Sequence, residues 1–332
     1  LMLTLEYITM YPQNIKHLTG INAETFNQVT NMIQEKYEEL RRKELEKKKR
    51  KRAFGGGRRS KVPLPLRFLA VLMFLRLNIP QRAVAALLSG VSQSSLSRDL
   101  RELLPLLEQF LPVPQLWTPE QLEQDLEPGM HLTEEDLPGR DVIIDGMEQP
   151  VYRSQDYETQ KTYYSGKKKR HTVKTQVVTD LQREIKAISS LFPGKIHDKK
   201  MAEKLDTTWR LPDETELLGD KAYQGLHKKV ELMEFQLDEK NELFVELPRV
   251  KLLTPYKKPK GRALSEKKKV QNQVISSLRV RVEHAIGWVK NFKICSERFR
   301  CSHSIYTLIL RVVCGFVNLQ VINLKKNEGP IA

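Results

Sequence analysis

Apolar residues change their spacing along this chain, and the change divides it. In the first 110 residues they recur three and four apart. Phe26, Val29, Met32 and Ile33 form one such series, and Asn22 just before it suits a helix start. Residues 66–75 are almost wholly apolar, as in a buried helix. Pro80 then precedes a short helical stretch at residues 81–88. Ser89-Gly90-Val91 reads as a turn, and Ser92 or Ser94 as the cap of a second helix over residues 94–104. Short helix, glycine-containing turn and capped helix are the spacing of a helix-turn-helix, a pattern shared with plain helical hairpins. In that reading Ser94, Ser95, Ser97 and Arg98 face a nucleic-acid groove or its phosphates.

Between residues 111 and 140 the periodicity lapses. Pro112, Pro114, Pro119, Pro128 and Pro138 alternate with acidic residues, which predicts a linker. From residue 141 the apolar runs become short and strand-like. Strands are expected at residues 142–145, 172–179 and 184–191, the last two joined as a hairpin near Thr179-Asp180. A helix over residues 199–205 follows, then a strand ending at Asp220, a helix over 226–235 and a strand over 243–247. A basic loop over 251–260 leads into a long helix carrying Glu283. The domains expected are therefore 1–61, a helical segment with a basic arm; 62–110, the helix-turn-helix; 111–140, the acidic linker; and 141–328, a catalytic domain. The fold class is α/β: a ribonuclease H-like core, a mixed sheet flanked by helices, preceded by an all-α domain.

Charge narrows the partners. The 332 residues carry a formal charge of +15, which favours polyanions. Residues 47–52 are all basic, and Arg58, Arg59 and Lys61 follow a triple glycine. A second block, Lys167, Lys168, Lys169, Arg170 and His171, follows Gly166 and is a candidate phosphate clamp. Lys257, Lys258, Lys260, Arg262 and residues 267–269 suggest the same more weakly. The most membrane-like stretch, residues 305–324, contains Arg311, Asn318, Gln320 and Asn323, so a buried helix is the expectation and no membrane partner is implied. Cys295, Cys301 and Cys314 include no CxxC pair, which points to neither a disulfide framework nor a zinc site and suits a reducing cytoplasm.

Three acids stand in telling contexts. Asp145 ends the run Val142-Ile143-Ile144, Asp220 ends Leu217-Leu218-Gly219, and Glu283 lies on the late helix beside the stripe Val282, Ile286 and Val289. Carboxylates at two strand ends and on one helix are the hard oxygen donors a two-metal phosphoryl-transfer site needs. Each has a plainer reading: Asp145-Gly146 is a common turn pair, and Glu283 could pair with Arg279 at i−4. Asp198 is placed to cap the following helix, or to serve as a fourth acid near the metals.

These motifs resemble bacterial insertion-sequence transposases of the DDE superfamily, in the branch related to Harbinger elements. The likeness rests on residues 90–98, Asp145-Gly146, the basic block, Gly194-Lys195-Ile196-His197-Asp198, the stretch Gly219-Asp220-Lys221-Ala222-Tyr223-Gln224-Gly225, and residues 281–287. Ala222 stands where relatives commonly have glycine. The resemblance implies Asp145, Asp220 and Glu283 as catalytic metal ligands, with Asp198, Arg279 and Arg281 as accessory candidates. It implies two Mg2+ ions, with Mn2+ able to substitute. It further implies double-stranded DNA as partner, both terminal inverted repeats and target, a homodimer or higher oligomer on that DNA, and a bacterial, nucleoid-associated setting in the cytoplasm. The alternatives are another ribonuclease H-like nuclease, or a catalytically silent DNA-binding regulator.

Overall fold

The computed structural model describes residues 2–47, 62–122, 131–226 and 250–328. Its helices are α1 (Leu5–Met10), α2 (Gln13–Thr19), α3 (Ala23–Lys47), α4 (Leu64–Leu77), α5 (Gln81–Leu87), α6 (Gln93–Phe110), α7 (Tyr157–Tyr163), α8 (Asp198–Lys204), α9 (Glu266–Asn291) and α10 (Tyr306–Glu328). Its strands are β1 (Gln115–Trp117), β2 (Asp141–Pro150), β3 (Tyr164–Ser165), β4 (Arg170–Asp180), β5 (Ile185–Ser189), β6 (Phe192–Pro193), β7 (Thr215–Leu218) and β8 (Val250–Leu253). They divide into two compact units, one of residues 1–113 and 289–320, the other of residues 114–288 and 321–332.

The first unit is helical. Asn22 accepts the Thr25 amide at 2.8 Å and opens α3, as its sequence suggests. Helix α4 is buried almost throughout, from Phe68 to Leu75. Ser92 caps α6 in a reciprocal box with Ser95, and Gly90 takes a left-handed φ of 75° in the turn before it. The helix runs on to Phe110, past the expected end at 104, because Leu100, Leu103, Leu104 and Leu107 keep one face buried. Arg67 lies against Asp99 at 2.5 Å, tying α4 to α6.

His303–Lys326 is long and apolar enough to cross a membrane by length and composition. Within this unit, however, its polar residues have protein partners. Arg311 pairs with Glu108, Asn318 donates to the Pro112 carbonyl at 2.9 Å and Gln320 to the Gly20 carbonyl at 3.0 Å. Ile309, Val312, Val313 and Phe316 are buried. It is a core helix.

The second unit is built on a sheet of order β1-β5-β4-β2-β7-β8, with β3 and β6 paired to β4. β2, β4 and β5 form an antiparallel meander, and β7 and β8 add in parallel beside β2. This is the mixed sheet of a ribonuclease H-like core. Alternation along β2 sends Val142 and Ile144 into a cluster with Val178, Met201, Leu205, Leu217 and Tyr223, and leaves Ile143, Asp145 and Met147 on the other face.

The structure departs from the sequence expectation in three places here. Strand β2 does not end at Asp145 but runs on to Pro150, because residues 146–150 keep pairing with β4, so Asp145 lies inside its strand and not at the end. The start of the supposed linker supplies β1, parallel to β5, with Trp117 fully buried. Arg210 fastens it: its guanidinium donates to the Thr118 carbonyl, to Gln121 and to the Leu205 carbonyl at 2.8–2.9 Å and lies 5.7 Å from the Trp117 ring. Proline content signalled a break in periodicity but could not show this tertiary anchor. Likewise Lys251, placed in a basic loop, lies in edge strand β8, where its exposed side chain binds Glu216 at 2.6 Å. An edge strand tolerates such a charge on its solvent side. The helix and strand expected at 226–235 and 243–247 fall, but for Leu226, outside the described residues.

Candidate active site

The two aspartates are brought together by strand register. β2 and β7 pair in parallel as Asp141 with Glu216, Val142 with Leu217 and Ile143 with Leu218. β7 ends at Leu218, two residues before Asp220, and the chain leaves it on the Asp145 side, close enough for the Asp220 charge to act on the Asp145 carboxyl. Asp145 Oδ1 accepts the Gly146 amide at 2.8 Å. Asp220 accepts the Ala222 amide at 2.7 Å and caps the short turn Lys221–Tyr223, which fixes its side chain at the strand end.

Electrostatics mark Asp145 as the strained member. Burial pushes its carboxyl above the usual carboxylate range; the Gly146 amide and Arg279 oppose this, while the charges of Asp220 and Asp198 add to it. A half-buried carboxylate beside a second one, with a single guanidinium against it, is a donor set that fits a divalent cation.

The structure shows Glu283 on α9, as expected, but turned to Arg279, 3.9 Å away at i−4, with 56% of its side chain exposed. Among the described residues no three His, Cys, Asp or Glu side chains are gathered closely enough to hold one ion. Arg279 connects the acids: it is 16% exposed, its charge acts on Asp145, and it is ion-paired with Glu283. Arg281 has a structural bond, donating to the Leu181 carbonyl at 2.6 Å, so it holds α9 to the β4–β5 turn.

Asp198 lies under the opposite face. A Cβ on Gly146 would stand 3.1 Å from Asp198 Oδ1, and strand alternation points that Cβ away from the Asp145 side. Asp198 does not cap α8; it is the helix's first residue, after His197, which makes no side-chain cap bond. Its carboxylate pairs with Lys174 at 3.1 Å, and the same ammonium donates to the Ile196 carbonyl at 2.9 Å. Lys174 and Tyr223 lie within the stretches quoted above but were given no role there; the available signal for the first was a lysine facing inward in the strand-like stretch Thr172-Val173-Lys174-Thr175. Tyr223 is fully buried, its hydroxyl has no hydrogen-bond partner, and burial and the nearby Asp198, Asp145 and Asp220 charges raise its pKa.

The basic block forms the turn between β3 and β4. Lys167, Lys168, Lys169 and Arg170 are exposed, with Lys169 at a left-handed φ of 54°. His171 is half-buried and meets Tyr164 edge-on at 5.7 Å. In the helical unit Ser94 and Arg98 are exposed on α6. Ser95 is occupied by the helix cap, and Ser97 accepts from Arg101 at 3.2 Å. Arg58 and Arg59 lie outside the described residues.

Comparison with known proteins agrees with this geometry. The family model of the DDE superfamily endonucleases matches residues 144–318, more than half of the chain and a span that includes Asp145, Asp220 and Glu283. The chain belongs to that family of nucleases. It is also 27% identical over 322 residues, 93% of its length and 95% of the relative's, to a probable transposase for insertion sequence element IS702 of Microchaete diplosiphon. No solved structure matches it.

Proposed function

We propose that this protein is the transposase of a bacterial insertion sequence, binding the element's terminal inverted repeats and catalysing strand cleavage and strand transfer. The carrying observation is the register that brings Asp145 and Asp220 together, in a chain that parallels a probable transposase over nearly its whole length. Asp145 and Asp220 would hold divalent cations, Mg2+ with Mn2+ able to substitute, and Glu283 is the third donor by family correspondence. Bound there, such cations lower the pKa of an attacking water and stabilise the leaving oxygen. Glu283 must give up its pair with Arg279 to join them. That pair, long at 3.9 Å and open to solvent on the Glu283 side, is weak enough to exchange, on the order of 0.3–0.5 kcal/mol.

The chain's own groups do the rest. Asp220 is held by the Ala222 amide, so its carboxylate keeps its direction whether or not DNA is present. Lys167, Lys168, Lys169 and Arg170 would hold the phosphodiester backbone, and Ser94 and Arg98 on α6 would meet the repeat; their exposure supports this reading. The freed 3′-hydroxyl then attacks target DNA, and pairing two element ends requires at least a dimer. DNA of the gene's own locus, carrying both ends, is the test substrate, with Mg2+ or Mn2+, for wild type beside Asp220→Ala. Discrete cuts plus joined products, absent from the variant, are expected. Cuts without joining would establish a plain nuclease, and binding without cutting a silent regulator.

A further inference from the structure

Residues 255–272 leave the sheet as a loop and return as the first turns of α9. They carry seven cations, Lys257, Lys258, Lys260, Arg262, Lys267, Lys268 and Lys269, against one acid, Glu266. All seven are exposed. Glu266 pairs with Lys269 at 2.7 Å, and Lys268 sits 5.1 Å from the Tyr256 ring centroid. Lys257, Lys258, Lys260, Arg262 and Lys267 have no acidic partner among the described residues. Lysines in the first turn of a helix also oppose its dipole, so the arrangement gains nothing for folding.

A merely solvated charge run needs no fixed geometry, and this one has it. Asn272 Oδ1 accepts the Tyr256 amide at 2.7 Å, and Asn272 Nδ2 donates to the Tyr256 carbonyl at 3.2 Å. One side chain thus pins the loop to the helix, as a backbone partner would. Val270 and Val274 stay exposed on the same stretch, and Gln271, Gln273, Ser276 and Ser277 around them present hydrogen-bonding groups and no acid. A rigid, unneutralised, polar cationic surface matches a regularly charged polyanion better than an apolar protein face.

We propose that this loop and the first turns of α9 form a DNA-backbone-binding arm, separate from the basic turn before β4. The proposal rests on the DNA-processing reading above and assigns that function a further surface. Because arm and Glu283 share one helix, their separation is set by helical rise. The sixteen residues from Lys267 to Glu283 span about 24 Å, or roughly seven base pairs of duplex, from the reacting phosphate.

The test uses the full chain, a random-sequence duplex and a duplex of the element's own end. Binding is measured by fluorescence anisotropy across a salt series. Replacing Lys257, Lys258, Lys260 and Arg262 together by serine should lower the log–log salt slope by up to about 3.6 and weaken binding roughly tenfold or more, on both duplexes alike. Replacing the three lysines by arginine should preserve binding, which separates lost charge from lost folding. A serine variant with the wild-type slope would overturn the arm while leaving a cleaving wild type, and the transposase reading, intact. A variant that loses self-association but keeps the slope would also overturn it and point to a protein surface. A wild type that neither binds nor cuts DNA would remove the underlying reading and the arm with it.

Discussion

Replacing Gly194 by alanine would put a methyl group where the second unit has no room. A Cβ there would stand 2.0 Å from Thr172 Oγ1, 2.7 Å from the Thr172 carbonyl oxygen and 2.9 Å from the Tyr163 carbonyl oxygen. The hydroxyl can rotate away, but only by leaving Glu148, which accepts it at 2.5 Å. That is a bond to a charged group, worth about 1.5–3 kcal/mol. The two carbonyls belong to backbone and cannot rotate. The Gly194 amide itself donates to the Thr172 carbonyl at 2.9 Å, so moving the chain strains that bond too. Overpacking of this kind costs a further ~1–3 kcal/mol. The sum is about 2.5–6 kcal/mol, or roughly 5–24 °C in melting temperature for a unit of this size. Gly139→Ala is the matched control, because nothing lies within 4 Å of its Cβ position. Thermal melts of both variants against wild type check the argument. A Gly194→Ala shift below about 1 kcal/mol, no larger than the control's, would refute the packing described here.

Four further outcomes follow from the site. Burial holds the Asp145 carboxyl above its usual range, so its protonated form favours folding. That contribution is present below the unfolded value of about 3.9 and is lost as pH rises through the folded one. Asp145→Asn should therefore melt higher than wild type without metal, by more at about pH 7.5 than at about pH 4, while cleaving no DNA; an equal gap at both values would contradict the sign. Glu283→Gln should abolish cleavage and shift stability by less than about 1 kcal/mol, since its pair with Arg279 is long and its own side chain is more than half exposed; a large loss of melting temperature would show a structural role instead. Saturating Mg2+ or Mn2+ should stabilise the fold, by about 2.7 kcal/mol at a hundred times Kd, read as a raised melting temperature, and the gain should vanish in Asp220→Asn. Tyr223→Phe removes a buried hydroxyl that has no partner and should be neutral or stabilising by about 1 kcal/mol, read by urea denaturation.

Much of this protein was legible locally. The run Val142-Ile143-Ile144-Asp145 announced a buried strand, though not its continuation past the acid to Pro150; Asn22 and Ser92 announced helix starts, and the apolar stripe on α9 announced its buried face. Each depends on residues within one or two turns, or within one pleat, of one another, so spacing suffices to reveal it. Tertiary structure decided what depends on distant residues. Strand β1 exists because Arg210, some ninety positions later, holds the backbone at Thr118, and no proline count contains that. Strand register across β2 and β7 brought Asp145 and Asp220 together, since a parallel pair is set by a crossover and not by neighbouring residues. Glu283 could be placed on a helix from its sequence, but its present partner, Arg279, was the plainer reading set aside there in favour of a metal ligand. Asp198 looked like a cap or a metal acid, and became the partner of a lysine on another strand, beneath the glycine that follows Asp145. Sequence determined which groups are available and which elements carry them; only long-range packing, which sets who is near whom, decided which of those groups meet.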